Sequence, residues 1–349
     1  IWNSTPFALP KAVEQCQKTV ENVHKNGAFA VPYFIHETLP AHLIPEVNYF
    51  GEHWRCSIDR CLCFNKSLVD YMVYNYAEWA KQCGIDGFYS DNIRPVVCDN
   101  IEAGRGYRLP DGRIQPSYQM FETRDYFLRL RAAFLEQRPE SKIVLHMTNS
   151  MVIPWIGAAD VAYDGEHHVI YPEMEKDFMD FWSLERLRVD YPGQWGTAIN
   201  FMHEYQKQWE PRPMKLAMRA YMGAIILHDG LPTGNANGHQ NELMKQRKDF
   251  GLDQADVRFL GYWDEKTGLN GNTESLKLAG WLRTDKLMIA AVNFGEKTTA
   301  RITLDLKTLG WRAGAKLVVR DAEAETEPED PKKKAAFLAA QKKAAYSNT

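Results

Sequence analysis

The chain has 349 residues, 45% hydrophobic and 25% charged, with 42 Lys and Arg against 45 Asp and Glu for a formal net charge of −3. This composition excludes disordered and collagen-like chains, and the scattered basic residues exclude an electrostatic footprint for nucleic acid. No apolar run approaches the roughly 18 residues of a membrane span, because Ala220 to Leu227 runs at once into His228 and Asp229. The expected partner is a small molecule or a neutral polymer.

The sequence begins at Ile1 with neither an initiator Met nor a signal peptide, which predicts a processed chain or an excerpt of a longer one. Ile1 to Asn3 predicts the tail of a strand, and Pro10 to His24 a helix. From Gly27 to about Gly234 one grammar repeats: a short β-rich run ending in polar residues, then a longer helical stretch. The runs are Ala28 to His36, Ile85 to Asn92, Lys142 to Asn149, Asp160 to Glu166, Gln194 to Phe201 and Ala224 to Gly230. Between the first two, Ser67 to Cys83 predicts a helix with Leu68, Tyr71, Met72, Asn75, Tyr76 and Trp79 on one face. Just before it, Cys56, Cys61 and Cys63 are spaced C-x4-C-x-C with His53 as the nearest imidazole. That spacing fits buried thiols or one disulfide better than a zinc site, which wants a fourth ligand and C-x2-4-C.

With Ile1 to Asn3 counted, seven strands are expected, one short of a closed (β/α)8 TIM barrel whose first strand is missing from the chain. A doubly wound sheet would show a Gly-rich phosphate turn, and no G-x-G-x-x-G is present. After Tyr262 strands follow one another without helices: Leu276 to Arg283, Lys286 to Phe294, Thr298 to Leu306 and Lys316 to Arg320. The expected division is an α/β barrel over residues 1–260, a small antiparallel β-sandwich over 261–320, and a charged, poorly ordered tail over 321–349.

Reacting groups in a (β/α)8 barrel sit at the C-terminal ends of its strands. The predicted ends carry Asp91 with Asn92 and Arg94, His146 with Asn149, and Asp164 with Glu166 and His167. Further along come Asn200 with His203 and Glu204, and His228 with Asp229. Two carboxylates facing each other across a barrel mouth are what glycosidic-bond hydrolysis requires, one at the anomeric carbon and the other protonating the leaving oxygen. Asp91 and either Asp164 or Glu166 form the natural pair. A Ser-Asp-Asn at a strand end also serves to turn a chain and cap a helix, so that structural role stands beside the catalytic one. Aromatic residues crowd the same ends (Trp54, Tyr89, Tyr107, Trp155, Tyr163, Trp195 and Trp209), and sugar rings stack on such faces, although ordinary packing explains any single ring. The loop from Arg94 to Pro116 has a net charge of +1, which fits either an anionic substrate group or a solvated loop.

The segments GIDGFYSDNIRP, YDGEHH and HDGLPTG, followed by KLMIAAVNFGEK in the β region, resemble bacterial glycoside hydrolases with a (β/α)8 barrel and a C-terminal β-sandwich. The nearest likeness is to uncharacterised hydrolases near glycoside hydrolase families 129 and 123, with the α-galactosidase clan further off. The clan's nucleophile and acid/base end strands that correspond here to Asp91 and to Asp164 or Glu166. Family 123 uses an adjacent Asp-Glu pair with substrate assistance, and this chain has Asp91-Asn92 instead, which departs from that route. The resemblance implies a secreted or periplasmic bacterial enzyme acting on a carbohydrate.

The expected activity is therefore retaining hydrolysis of a poly- or oligosaccharide. Asp91 is the nucleophile, Glu166 the acid/base favoured over Asp164, and Tyr89, Asn92, Arg94, His146, Asn149, His167, Asn200 and Asp229 bind substrate. No cofactor or metal is expected, and the sequence carries no signal of oligomeric state. Two other classes are kept open. A metal-dependent amidohydrolase barrel would use His146, His167 and Asp229 but lacks its strand-1 H-x-H. A non-catalytic carbohydrate-binding barrel would keep the site and lack turnover.

Overall fold

The computed structural model describes residues 10–35, 49–56, 61–147, 151–165, 182–190, 196–202, 214–233 and 239–322. Helices and strands alternate through α1 (Pro10–Lys25), β1 (Tyr33–Ile35), α2 (Lys66–Cys83), β2 (Gly87–Ile93), α3 (Met120–Gln137), β3 (Lys142–Met147) and β4 (Val161–Asp164). The alternation continues through α4 (Leu184–Asp190), β5 (Ala198–Met202), α5 (Met214–Ile226), β6 (Leu231–Thr233) and α6 (His239–Phe250). The six strands form one sheet in chain order, β1-β2-β3-β4-β5-β6, and β1 through β4 pair in parallel. Winding in one direction without a switch of strand order is the pattern of a barrel rather than of a doubly wound sheet. Among the described residues the sheet has six strands and does not close, so the expected barrel is matched in its winding but not in its closure. Ile1 to Asn3 lie outside the described residues. Among these residues no helix is long and apolar enough to cross a membrane.

The chain falls into two compact units, Ile1–His167 with Gln194–Asn200, and His168–Gly193 with Phe201–Thr349. In the first, α2 starts because the Asn65 side chain accepts the Leu68 N–H, and it stops where Gly84 turns left-handed (φ 71°) and donates to the Ala80 carbonyl. Its buried face of Leu68, Val69, Met72, Tyr76 and Trp79 follows the helical period of the sequence. From α3 come Tyr126, Phe127, Leu130 and Phe134, and from the strands Phe34, Phe88, Ile143 and Leu145, which together make one apolar core.

A polar device repeats at the N-terminal end of two strands. Asp86 precedes β2 and its carboxylate accepts the Ala30 N–H (2.6 Å), meets His24 Nε2 (2.7 Å) and pairs with Arg138 from the end of α3. Asp160 precedes β4, accepts the Ile143 N–H (2.9 Å) and pairs with Arg131 of α3 (2.7 Å). In each case a carboxylate fastens its own strand to the preceding one and to a helix. Gly87 follows Asp86 because the strands approach closely there: a Cβ would overlap the Lys142 carbonyl.

In the second unit the run Ala224 to Gly230, expected as a strand, is the last turn of α5 and the turn after it. A short apolar run has no period that separates strand from helix, and here the helical stretch from Met214 simply continues through it. Antiparallel strands follow: β7 (Arg258–Leu260), β8 (Leu269–Gly271), β9 (Leu276–Leu282), β10 (Leu287–Asn293) and β11 (Ile302–Leu304). They form one sheet of order β7-β9-β10 and a second of β8-β11 around Leu260, Leu269, Leu276, Leu278, Leu282 and Leu309. Lys316 to Arg320, expected as a strand, is irregular, with Val318 and Val319 78% and 89% exposed. Strand propensity there finds no neighbouring strand among the described residues to take its backbone groups.

Candidate active site

The site forms in the first unit where β1 to β4 end. The parallel register sets Tyr33 beside Tyr89, Ile35 beside Asp91, and His146 beside Tyr163. Because side chains alternate along a strand, Tyr89 and Asp91 share one face of β2, and Ser90 turns to the other. The Tyr33 and Tyr89 rings stack at 5.4 Å, and Tyr163 meets Tyr89 and His146 edge-on at 5.8 and 5.3 Å. Tyr89 and Tyr163 thus pack beside Tyr33 and His146, the two side chains that reach Asp91.

After Asp91 the strand is broken on purpose. Its pairing with β3 shifts register between Ser90 and Ile93, and Asn92 adopts the left-handed region at φ 55°, which Asn tolerates better than most residues. Such a bulge turns the strand end and re-aims the side chains beside it. The carboxylate of Asp91 is mostly buried (13% exposed). One oxygen accepts the Tyr33 hydroxyl, and the other lies 2.7 Å from His146 Nδ1. The same nitrogen is 2.6 Å from the Tyr89 hydroxyl. A carboxylate can only accept, so Nδ1 must carry a proton for its contact with ionised Asp91 to be attractive. Burial alone would raise the Asp91 pKa, but His146, Tyr33 and the Asn92 N–H outweigh it and hold the group below the ordinary Asp value. Arg94, three residues on, is exposed.

Asp164 ends β4, 1% exposed, with its Oδ1 accepting the next N–H, that of Gly165 (2.7 Å). Alternation places it on the Ala162 side of β4, the side opposite Tyr163. Asn200, on β5, is half-buried, and its buried Oδ1 has no hydrogen-bond partner among the described residues. Asn149, Glu166, His167, His203 and Glu204 lie outside the described residues, as do Trp195 and Trp209. Asp229 belongs to the second unit, in the turn after α5, where Trp281 Nε1 (2.8 Å) and Arg247 (3.1 Å) hold its Oδ1. His228 beside it is buried between the carbonyls of Ala224 and Leu184 and stacks on Trp263 at 5.5 Å.

Of the other aromatics, Trp54 and Trp155 are core residues, 2% and 0% exposed, and Tyr107 is on the surface. In the loop after β2 the half-buried Arg105 pairs with Glu122 and donates to the Phe64 carbonyl, while the exposed Arg113 pairs with Asp111. Among the described residues no group of three or more His, Cys, Asp or Glu is placed to hold a metal. The sequence reading missed Tyr33, although the first run, ending YFIH, offered the same strand-end signal as the others.

No family model matches the chain, and no curated protein matches it in sequence. In structure it is similar to an α-amylase from Lactobacillus plantarum, 11% identical, with a TM-score of 0.53 over 80% of this chain and 71% of that one. It is also similar to an α-amylase from Geobacillus thermoleovorans complexed with acarbose, 9% identical, TM-score 0.51, over 80% and 69%. The likeness is one of fold. It is shared with those two α-amylases and does not reach the narrower family groups that the motifs resemble.

Proposed function

We propose that the protein hydrolyses glycosidic bonds in an oligo- or polysaccharide, with Asp91 as the nucleophile of a retaining mechanism. The observation that carries this reading is a mostly buried carboxylate at a C-terminal strand end, held ionised by His146 and Tyr33 beside Tyr89 and Tyr163. Nucleophilic attack on an anomeric carbon needs such a group ionised and aimed, and the tyrosine faces suit the C–H face of a sugar. Glu166 is assigned as the acid/base, since its longer side chain follows Asp164 and Gly165 on the chain and reaches further toward a leaving-group oxygen. Asn200 is assigned to a substrate hydroxyl: its Oδ1 is buried without a partner among the described residues, and such an acceptor costs about 1–3 kcal/mol unless a donor meets it. The sugar-facing roles of Asn92, Arg94, Asn149 and His167 belong to the same proposal, as does action outside the cytoplasm.

The test is a panel of aryl glycosides, including galactosides and N-acetylgalactosaminides, with the anomeric configuration of the first product read by NMR. Retention is expected, and in Asp91→Gly added azide should restore turnover and give a glycosyl azide of inverted configuration. An inverted first product from the unaltered enzyme overturns the nucleophile role.

A further inference from the structure

Six cysteines are all buried, with no disulfide between them, and they sort into contacts by place in the fold. Cys16 of α1 meets Cys83 at the end of α2. The other four gather in a second cluster, Cys56, Cys61, Cys63 and Cys98, with Val96. Two chain segments build it. Arg55 and Leu62 form an antiparallel bridge, flanked by bonds from the Cys56 N–H to the Cys61 carbonyl and from the Cys63 N–H to the Trp54 carbonyl (both 2.9 Å). Alternation then sends Arg55 and Leu62 to one side and Cys56, Cys61 and Cys63 to the other. Cys98 arrives from the loop that follows Asp91, on a two-residue strand paired with Ser117–Tyr118. The thiols of Cys56, Cys63 and Cys98 are in mutual hydrogen-bond contact. Among the described residues no group of His, Cys, Asp and Glu is placed to hold a metal.

The geometry points to a disulfide between Cys98 and Cys56 that fastens the loop following the Asp91 strand to the segment preceding α2. Cys56 and Cys63 both touch Cys98; the assignment is to Cys56, and peptide mapping tells it from a bond to Cys63. The thiolate is the attacking species in disulfide exchange. The oxidant is a small-molecule disulfide of the glutathione class. The Cys98 thiolate attacks one of its sulfurs, forming a mixed disulfide and releasing one glutathione thiolate. The Cys56 thiolate, its proton lost to solvent, then attacks the Cys98 sulfur, forming the protein disulfide and releasing the second. Two protein thiols are oxidised and one glutathione disulfide is reduced. Because Cys56 and Cys98 are at most 4% exposed in the folded chain, the exchange belongs to folding, before the cluster closes.

The full chain, refolded in a glutathione redox buffer, is alkylated under denaturing conditions without reductant and mapped by mass spectrometry. Trypsin cuts after Arg55 and Arg60 and so separates Cys56 from Cys61 and Cys63, while Asp-N cuts before Asp86 and separates Cys83 from Cys98. The expected result is a peptide pair joining Cys56 to Cys98, lost on reduction. Closing a loop of roughly forty residues also predicts that reductant lowers Tm by roughly 5–10 °C. The reductant effect should shrink in Cys98→Ser. Cys98 recovered as an alkylated thiol, joined to any other cysteine, or bound to stoichiometric zinc or copper overturns the assignment; the peptide map of the unaltered chain decides this whether or not the variant folds.

Discussion

Strand β2 carries a buried aspartate at each end, and the two are held in different ways. Asp86, just before its first residue, is met by an arginine, a histidine and a backbone N–H. Asp91, near its last, is met by a histidine and a tyrosine. Both are held below the ordinary Asp value against the opposing effect of burial. The full charge of a guanidinium fixes Asp86 as a structural counter-ion, whose every oxygen is occupied by the scaffold. An imidazole and a phenol can shift or share protons, so the Asp91 carboxylate keeps the capacity to react. The same division between stability at one face and chemistry at the other is what a barrel of parallel strands provides.

The largest effect that separates the two ends is expected from Asp91→Asn. Turnover should fall by on the order of 10³-fold or more, with Tm within a few degrees of the parent and sugar binding retained. Loss of binding together with turnover would return Asp91 to a structural role. Asp86→Ala should do the reverse. It leaves the guanidinium of Arg138 and the Ala30 N–H without their acceptor, and breaking such a pair by removing one partner costs about 3–5 kcal/mol. Denaturant unfolding should show the loss, while kcat per folded molecule stays near the parent value. A drop in kcat without a drop in stability would erase the distinction.

Much of this arrangement was legible in the sequence. The βα grammar gave five of the six sheet strands to within a few residues, because short β-rich runs bounded by polar ends leave little freedom in a parallel sheet. Asp91 was legible as a strand-end carboxylate for the same reason. Ala224 to Gly230 was not, since its apolar residues carry no period, and the helix was recognisable only from the stretch before it. The partners of Asp86 and Asp91 were hidden by distance along the chain: Arg138, His146 and Tyr33 come from other elements, and only the sheet register brings them together. Cys98 escaped for that reason too, while the local C-x4-C-x-C drew attention to its three neighbours.

A smaller effect is expected from Tyr33→Phe, which keeps the stacked ring and removes one donor to Asp91. A hydrogen bond to a charged group is worth about 1.5–3 kcal/mol, of which the transition state feels a part as charge leaves the carboxylate. A fall in kcat/KM of roughly tenfold is expected, with the fold unchanged. An unaltered kcat/KM would mean that the phenol does not support the reacting group.

The finest test separates the two ends by their acid titrations. Asp86, Asp91 and Asp160 all have folded pKa values below the ordinary Asp value of 3.8. A depressed carboxylate contributes stability that is fully present above the unfolded value and is lost as pH falls through the folded one. Stability should therefore hold down to about pH 4 and decline below it, and the acid limb of kcat/KM, which reports the free enzyme's Asp91, should lie below the ordinary Asp value as well. Replacing Tyr33 by Phe removes an interaction that favours ionised Asp91, so the acid limb should move to higher pH while the acid loss of stability changes little, since Asp86 and Asp160 are untouched. Replacing Asp86 should flatten the acid loss of stability and leave the activity limb in place. If both curves moved together in both variants, the two ends of β2 would be one electrostatic unit, and the separation of scaffold from site along this strand would fail.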